Sequence, residues 1–341
     1  MVFAWIKCKN EHTNVFTFSD KLVITNIILY NYVIMKLTIT LDANNILTDT
    51  DKSNLPSFTE YGMNFSNIQL YKLTDNINNS NNTYNNILLI PMTHINNIWH
   101  LIHHIFITYK YLTKNNIVCD TMYPIFFKGF YHRQGNITDC TYNDLIFKGL
   151  GFDYNKFKNN YDVFKQNEYI NVNTIYHVNE NINFYNEPLF GEFKYTILNN
   201  FDIEYRKNIT KNITFILRNG TREITNIDYV KDKLQSYNIN YIYLENHTVK
   251  DQLEIIANTD ILIGVHGAGL SWCIFMKNNS TLVEMYPGCS NTDNYVRWCK
   301  IANINYKRLS IDITTGNVND FRKATVNIND EQLQTIQLTI Q

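Results

Sequence analysis

The sequence predicts an α/β protein of two domains whose second half is a doubly wound parallel sheet, and three observations carry that prediction. At 341 residues the chain is longer than one hydrophobic core usually grows. From about residue 212 onward, strand-like and helix-like stretches alternate at the spacing of β-α-β units. Within that alternation an apolar run ends in the small-residue turn Gly264-Val265-His266-Gly267-Ala268-Gly269, where a buried strand is expected to turn into a helix. The expected division is 1–205, an α/β domain with Asn-rich loops, and 206–341, a Rossmann-like domain.

In the first half, residues 42–86 carry too few apolar side chains to face a core continuously and read as long loops. Residues 97–112 read as an amphipathic helix, because Ile98, Leu101, Ile102, Ile105, Phe106 and Tyr109 recur at helical spacing, with His100, His103 and His104 on the polar side. Short apolar runs at 117–118, 123–127 and 169–178 predict strands. In the second half the pattern predicts strands at 213–217, 241–244, 261–265 and 281–285, with helices at 227–237, 270–276 and 294–302. Thr248-Val249-Lys250-Asp251 is a capping-box signature that opens one more helix. The continuous apolar run 261–265 is of the kind buried on both faces of a parallel sheet, whose ligand lies beyond the carboxyl ends of the strands.

Composition narrows the function classes. Lys plus Arg number 30 against 31 Asp plus Glu, so no global field attracts nucleic acid or an anionic membrane. The heavy use of Asn, Ile, Lys and Tyr points to an AT-rich genome, which makes most surface Asn residues and the Asn-x-Ser/Thr triplets uninformative. The cysteines, Cys8, Cys119, Cys140, Cys273, Cys289 and Cys299, show no Cys-x-x-Cys or metal-finger spacing and read as reduced, mostly buried thiols. Residues 23–35 are interrupted by Asn26, Asn31, Tyr30 and Tyr32, so neither a signal peptide nor a membrane span is expected, and Met35 is an alternative start to Met1.

The turn at 264–269 carries the chemistry. Glycines let the backbone approach a ligand closely, and the helix that follows directs free N–H groups and its positive dipole end at whatever sits there. A diphosphate suits such a place; the alternative is a tight strand-to-helix turn with no ligand. A dinucleotide fingerprint counted from Gly267 would need a third glycine where Trp272 stands, and no Walker-type Gly-Lys-Ser/Thr is present.

Four motifs in order, Arg218-Asn219-Gly220-Thr221-Arg222-Glu223-Ile224-Thr225-Asn226, Leu244-Glu245-Asn246-His247-Thr248, His266-Gly267-Ala268-Gly269-Leu270 and Leu282-Val283-Glu284-Met285-Tyr286-Pro287, resemble the glycosyltransferase family 61 domain. In the first half Asn97-Ile98-Trp99-His100-Leu101 resembles the family's Asn-x-x-His helix start, with His104 standing where an acidic residue is usual. The resemblance implies an inverting, metal-independent enzyme of GT-B type, two Rossmann-like domains facing a cleft. It implies a UDP-sugar co-substrate, GlcNAc or xylose, no other cofactor, and a glycan or glycoprotein acceptor. Members of the family usually work in the secretory pathway; the absence of a visible signal or anchor together with the AT-rich bias instead suits a giant virus or a protist with its own glycosylation machinery, and a cytoplasmic, viral-factory or virion location ahead of the host secretory pathway.

The residues expected at the donor are Arg218, Arg222, Asn226, His247, Gly264, His266, Gly267, Ala268, Gly269, Leu270 and Glu284. Arg218 and Arg222 would stabilise charge growing on the departing diphosphate; the alternative is a pair of surface cations. His266 is a donor contact or a loop-fixing histidine, Glu284 a ribose ligand or a helix cap, and Asn226 and His247 donor contacts or turn-holders. His100 is the candidate for acceptor deprotonation because imidazole titrates near neutral pH, with His103 and His104 in reserve. Two other readings stand: a non-catalytic glycan- or nucleotide-binding module that has lost its base, and a metal-dependent GT-A transferase using the Asp-x-Asp of Asp49 and Asp51.

Overall fold

The computed structural model describes residues 15–24, 83–92, 94–126, 140–155, 170–177, 188–207, 210–288, 293–315 and 324–341. The chain divides into two compact units, 1–96 with 103–182 and 97–102 with 183–341.

The first unit holds β1 (Val15–Ile24), β2 (Thr83–Met92), most of α1 (Ile98–Asn115), β3 (Thr121–Phe126), the short α2 (Asn143–Ile146) and β4 (Ile170–His177). Its sheet has the order β1-β4-β2-β3; β2 runs parallel to β3 and β4, and β1 antiparallel to β4. Along β2, Leu88, Ile90 and Met92 alternate into a core. The predicted helix at 97–112 is α1, and its apolar stripe is inside through Phe106: Ile98, Leu101, Ile102, Ile105 and Phe106 are each no more than 1% exposed, whereas the expected Tyr109 is half-buried and Thr108, Lys110 and Tyr111 are buried around it.

Two expectations fail here. Residues 83–86 belong to β2 rather than to a loop, since Thr83 and Asn86 pair in register with Asn171 and Thr174 of β4. Ladder hydrogen bonds use the backbone, so polar side chains do not prevent a strand. Ile117 and Val118 are not a strand either. Asn116 takes a left-handed φ of 50°, its N–H bonds to Thr113 O at 3.2 Å, and the Ile117 N–H bonds to Leu112 O at 3.0 Å. That is a Schellman closure of α1, and it leaves Val118 78% exposed in the exit turn.

The second unit contains α3 (Phe190–Asn200), β5 (Ile213–Leu217), α4 (Ile227–Lys233), β6 (Ile239–Tyr243), α5 (Val249–Ala257), β7 (Ile261–Val265), a 3-10 helix (Ala268–Phe275), β8 (Thr281–Tyr286), α6 (Asn294–Ile301), β9 (Asn305–Ser310), β10 (Asp312–Thr315), β11 (Thr325–Asn327) and α7 (Asp330–Ile340). All five strands of its main sheet, in the order β6-β5-β7-β8-β9, run parallel. β5 and β7 are buried at every position, as expected for strands covered on both faces. One face carries Phe215, Ile263, Val283 and Leu309 against Val230 and Leu234 from α4 and its exit, and Leu333, Ile336 and Ile340 of α7. The predicted capping box forms at α5, Thr248 accepting from Asp251 N and Asp251 from Thr248 N. The predicted helix at 227–237 stops earlier, at Lys233, and the one at 270–276 is a 3-10 helix that begins at Ala268.

Strand order sets where a ligand can go. The connection leaving β5 runs outward to β6, while the one leaving β7 runs the other way to β8. The two loops part at the carboxyl ends of adjacent parallel strands, the place where open α/β sheets bind their ligands, and residues 218–226 and 266–268 flank it.

Among the described residues Cys119, Cys140, Cys273 and Cys299 are free thiols, and burial pushes Cys119 up to about 12 and Cys140 up to about 11; Cys8 and Cys289 lie outside the described residues. No helix among the described residues is long and apolar enough to cross a membrane.

Lys194 in α3 is a buried charge. Only 2% exposed, it donates to Asn278 Oδ1 at 3.2 Å and lies over the Tyr205 ring. Burial lowers its pKa from the ordinary 10.5 to about 8. The folded state then binds the proton more weakly than the unfolded state, so the cost is complete below about pH 8 and vanishes as pH rises through 10.5. Lys194→Met is therefore expected to raise stability at pH 7 by about 1–3 kcal/mol, with the gain over wild type shrinking to nothing by pH 10.5. Paired thermal melts at the two pH values check this; a gain independent of pH would mean that the lysine is not held at a cost.

Candidate functional site

The site assembles where β5 and β7 end. Arg218 follows directly on β5, and its side chain folds over the turn, Nε donating to Thr221 O at 3.1 Å and Nη2 approaching Thr221 Oγ1 at 3.5 Å. Burial works against its charge, while Tyr295 and Glu245 nearby support it. Among the described residues Arg218 makes no salt bridge. A half-buried guanidinium that makes no salt bridge is a place where an anionic ligand gains from its charge.

Arg222 comes from the same loop with a left-handed φ of 54°. Its Nη1 donates to His266 O at 2.8 Å, which ties the loop after β5 to the turn after β7. Both guanidinium groups close on Gly267. A Cβ there would overlap Arg218 Nη1 and lie 2.9 Å from Arg222 Nη1, so glycine is what allows two cations this close to the backbone. Gly264 is small for another reason, since a Cβ would stand 2.9 Å from Leu270 Cδ2 and 3.3 Å from Ile216 Cβ in the packed layer. At Gly269 the neighbour would be Leu244 Cδ1 at 3.0 Å.

The 3-10 helix begins at Ala268. Leu270 N–H is spent on Gly267 O at 2.9 Å, which removes it from the expected set of free amides. Ala268 and Gly269 at the helix start have no intrahelical acceptor. Tyr295 of α6, 3% exposed, donates its hydroxyl to Gly267 O at 2.5 Å.

His266 and Glu284 form a pair. The His266 ring binds the Glu284 carboxylate through Nδ1, and the second Glu284 oxygen accepts from the Tyr306 hydroxyl. Tyr306 in turn accepts from Arg308 Nε at 2.9 Å. Glu284 is 1% exposed, and burial with this carboxylate beside it pushes the Tyr306 hydroxyl upward. Tyr286 and Tyr295 meet the His266 ring edge-on, with centroids 5.5 and 5.6 Å away. The arrangement fixes His266 through Nδ1 and holds the ring in one plane.

The other expected residues lie in different settings. Asn226 grips the segment after β11, donating to Ile328 O at 2.8 Å and accepting from Ile328 N at 3.1 Å. Three further backbone bonds pin the loop to that segment: Arg222 N to Ala324 O at 2.7 Å, Val326 N to Glu223 O at 2.9 Å and Thr225 N to Val326 O at 2.9 Å. His247 leads into α5, its carbonyl accepting from Gln252 Nε2 at 2.9 Å, and it lines a separate groove with Asn240, Asp251 and Glu254. His100 lies in the first turn of α1, within the second unit, while His103 and His104 fall in the first. Asp49 and Asp51 lie outside the described residues.

Sequence reasoning missed Tyr295, Tyr306, Trp99 and the whole β11 segment. Their partners are far away along the chain, and only Trp99, adjacent to the Asn-x-x-His start, carried a local signal.

Residues 98–283, more than half of the chain, match the family model described as Glycosyltransferase 61. An EGF domain-specific O-linked N-acetylglucosamine transferase of Drosophila melanogaster is 32% identical over 127 residues, 36% of this chain and 24% of its own length. A protein O-linked-mannose beta-1,4-N-acetylglucosaminyltransferase of Mus musculus is 32% identical over 63 residues, 18% of this chain and 11% of its own. An alpha-1,3-arabinosyltransferase of Oryza sativa subsp. japonica is 26% identical over 125 residues, 34% of this chain and 21% of its own. The similar stretch thus spans about a quarter or less of these relatives' length.

Proposed function

This chain belongs to glycosyltransferase family 61, and from that premise we propose that it transfers a sugar, GlcNAc or xylose, from a UDP-sugar to a glycan or glycoprotein acceptor. The observation that carries the reading is the closure of Arg218 and Arg222 on Gly267, between diverging loops at the carboxyl ends of β5 and β7.

In the proposed reaction an acceptor hydroxyl attacks the anomeric carbon from the face opposite the diphosphate. The carbon–oxygen bond to the diphosphate breaks, the leaving oxygen keeps the electron pair, and the configuration inverts. Negative charge grows on the diphosphate, where the Arg218 guanidinium and the Ala268 and Gly269 amides stabilise it as fixed donors. Arg222 acts one step back, holding His266 O and through it the turn. Glu284, with both oxygens occupied, orients His266 toward the donor. The acceptor proton goes to His100, with His104 as the alternative base. The enzyme is of GT-B type, with its donor in the second unit and guanidinium charge in place of an obligatory divalent ion.

Incubation with UDP-GlcNAc and UDP-xylose, followed by measurement of UDP release, tests the reading. Release is expected, and EDTA is expected to leave it unchanged. Binding of UDP without turnover would identify a non-catalytic module, and complete loss of activity with chelator would identify a metal-dependent enzyme.

A further inference from the structure

The first turn of α1 belongs to the second unit, although the remainder of the helix belongs to the first. Local chemistry explains how this turn is built. Asn97 caps it, Oδ1 accepting from Trp99 N at 3.1 Å while its carbonyl accepts from Leu101 N at 3.0 Å. Trp99 then stacks on Trp298 with centroids 4.2 Å apart and planes 17° from parallel. Its ring also meets Tyr295 edge-on at 5.6 Å. Tyr295 and Trp298 are three apart on α6 and so present one face to Trp99. Both are buried, at 3% and 0% exposure.

The same Tyr295 reaches the glycine turn. Its ring lies edge-on to His266 at 5.6 Å and its hydroxyl donates to Gly267 O. The Gly267–Ala268 peptide is planar and trans, so its carbonyl and its N–H point in opposite directions. Drawing the carbonyl toward Tyr295 therefore sends the Ala268 N–H away from it. One side chain sets the direction of a backbone donor and, through Trp99, the location of the helix turn bearing His100.

We infer that Tyr295 and Trp99 are positioning residues that lock the Ala268 amide and the His100 turn into one arrangement. The inference rests on the donor-site reading above. It separates two effects that a general packing role would merge. Tyr295→Phe retains the ring contacts and loses only the hydroxyl, so UDP affinity is expected to fall about tenfold, the size of a lost hydrogen bond to a group that orients a charged ligand. Trp99→Ala releases the His100 turn and leaves the glycine turn in place. Its kcat for UDP release is expected to fall by about 100-fold, with the UDP dissociation constant within twofold of wild type and most of the rate restored in Trp99→Phe.

Calorimetric UDP titration and UDP-release kinetics on wild type, Tyr295→Phe, Trp99→Ala and Trp99→Phe decide the matter. If Trp99→Ala keeps its rate, or if rate, affinity and melting temperature fall together in Trp99→Ala and Trp99→Phe alike, the positioning role is wrong. Should Trp99→Ala fail to fold, Trp99→Phe and Tyr295→Phe still carry the test, because unchanged UDP affinity in Tyr295→Phe overturns the amide assignment. Wild-type protein that neither binds UDP nor releases it would instead overturn the donor-site reading, and this inference with it.

Discussion

Arg218→Ala is expected to weaken UDP binding by about 100-fold and to lower kcat/KM for UDP release by on the order of 10²–10³, the usual loss when one fixed donor to a developing anion is removed. Two features set the size of this effect. The guanidinium is half-buried, with burial working against its charge, and among the described residues it has no salt-bridge partner to lose. The variant should melt close to wild type, because the half-buried guanidinium makes no salt bridge among the described residues and gives up only its hydrogen bonds to Thr221. Titration calorimetry and melting curves read the two quantities separately. Unchanged UDP affinity would place the donor elsewhere.

Gly267→Ala comes second in expected effect, and it acts through Arg218 and Arg222 together. The added methyl would overlap one guanidinium and crowd the other at 2.9 Å, and both side chains would have to shift from their bonds to Thr221 O and His266 O. Folding should survive while UDP affinity falls at least tenfold. Gly264→Ala is the matching control, since its methyl would meet Leu270 and Ile216 inside the packed layer. That substitution should cost about 1–3 kcal/mol of stability. Equal behaviour of the two variants in UDP titrations and melts would remove the distinction between a glycine that admits cations and one that admits packing.

The parts of this molecule written in local patterns were legible. The five-residue apolar runs of β5 and β7, the apolar stripe of α1 and the Thr248–Asp251 box all depend on neighbours within a few positions, and the structure realises each of them. The turn from β7 into a helix was legible too, although its 3-10 character was not. What escaped depends on distant partners. Asn226 reads locally as a possible ligand and in the fold grips Ile328, 102 residues away. Tyr295 reads as one tyrosine among 24 and in the fold directs the carbonyl of Gly267.

The Asn bias hid a further signal. Dismissing surface Asn as a product of base composition overlooked its tolerance of left-handed backbone. Asn116 and Asn303 adopt it with φ of 50° and 55° where α1 and α6 end, and Asp202 does so after α3 with φ of 58°. In each case the next residue bonds back into the last turn: Ile117 to Leu112, Ile304 to Cys299 and Ile203 to Leu198. In a chain with only 12 glycines, Asn and Asp take over helix closure.

A crystal structure of the protein with bound UDP tests the donor site most directly. The diphosphate is predicted within hydrogen-bonding distance of the Arg218 guanidinium and of the Ala268 and Gly269 amides. UDP lodged away from the ends of β5 and β7, or the space there filled by the protein's own side chains, would contradict it.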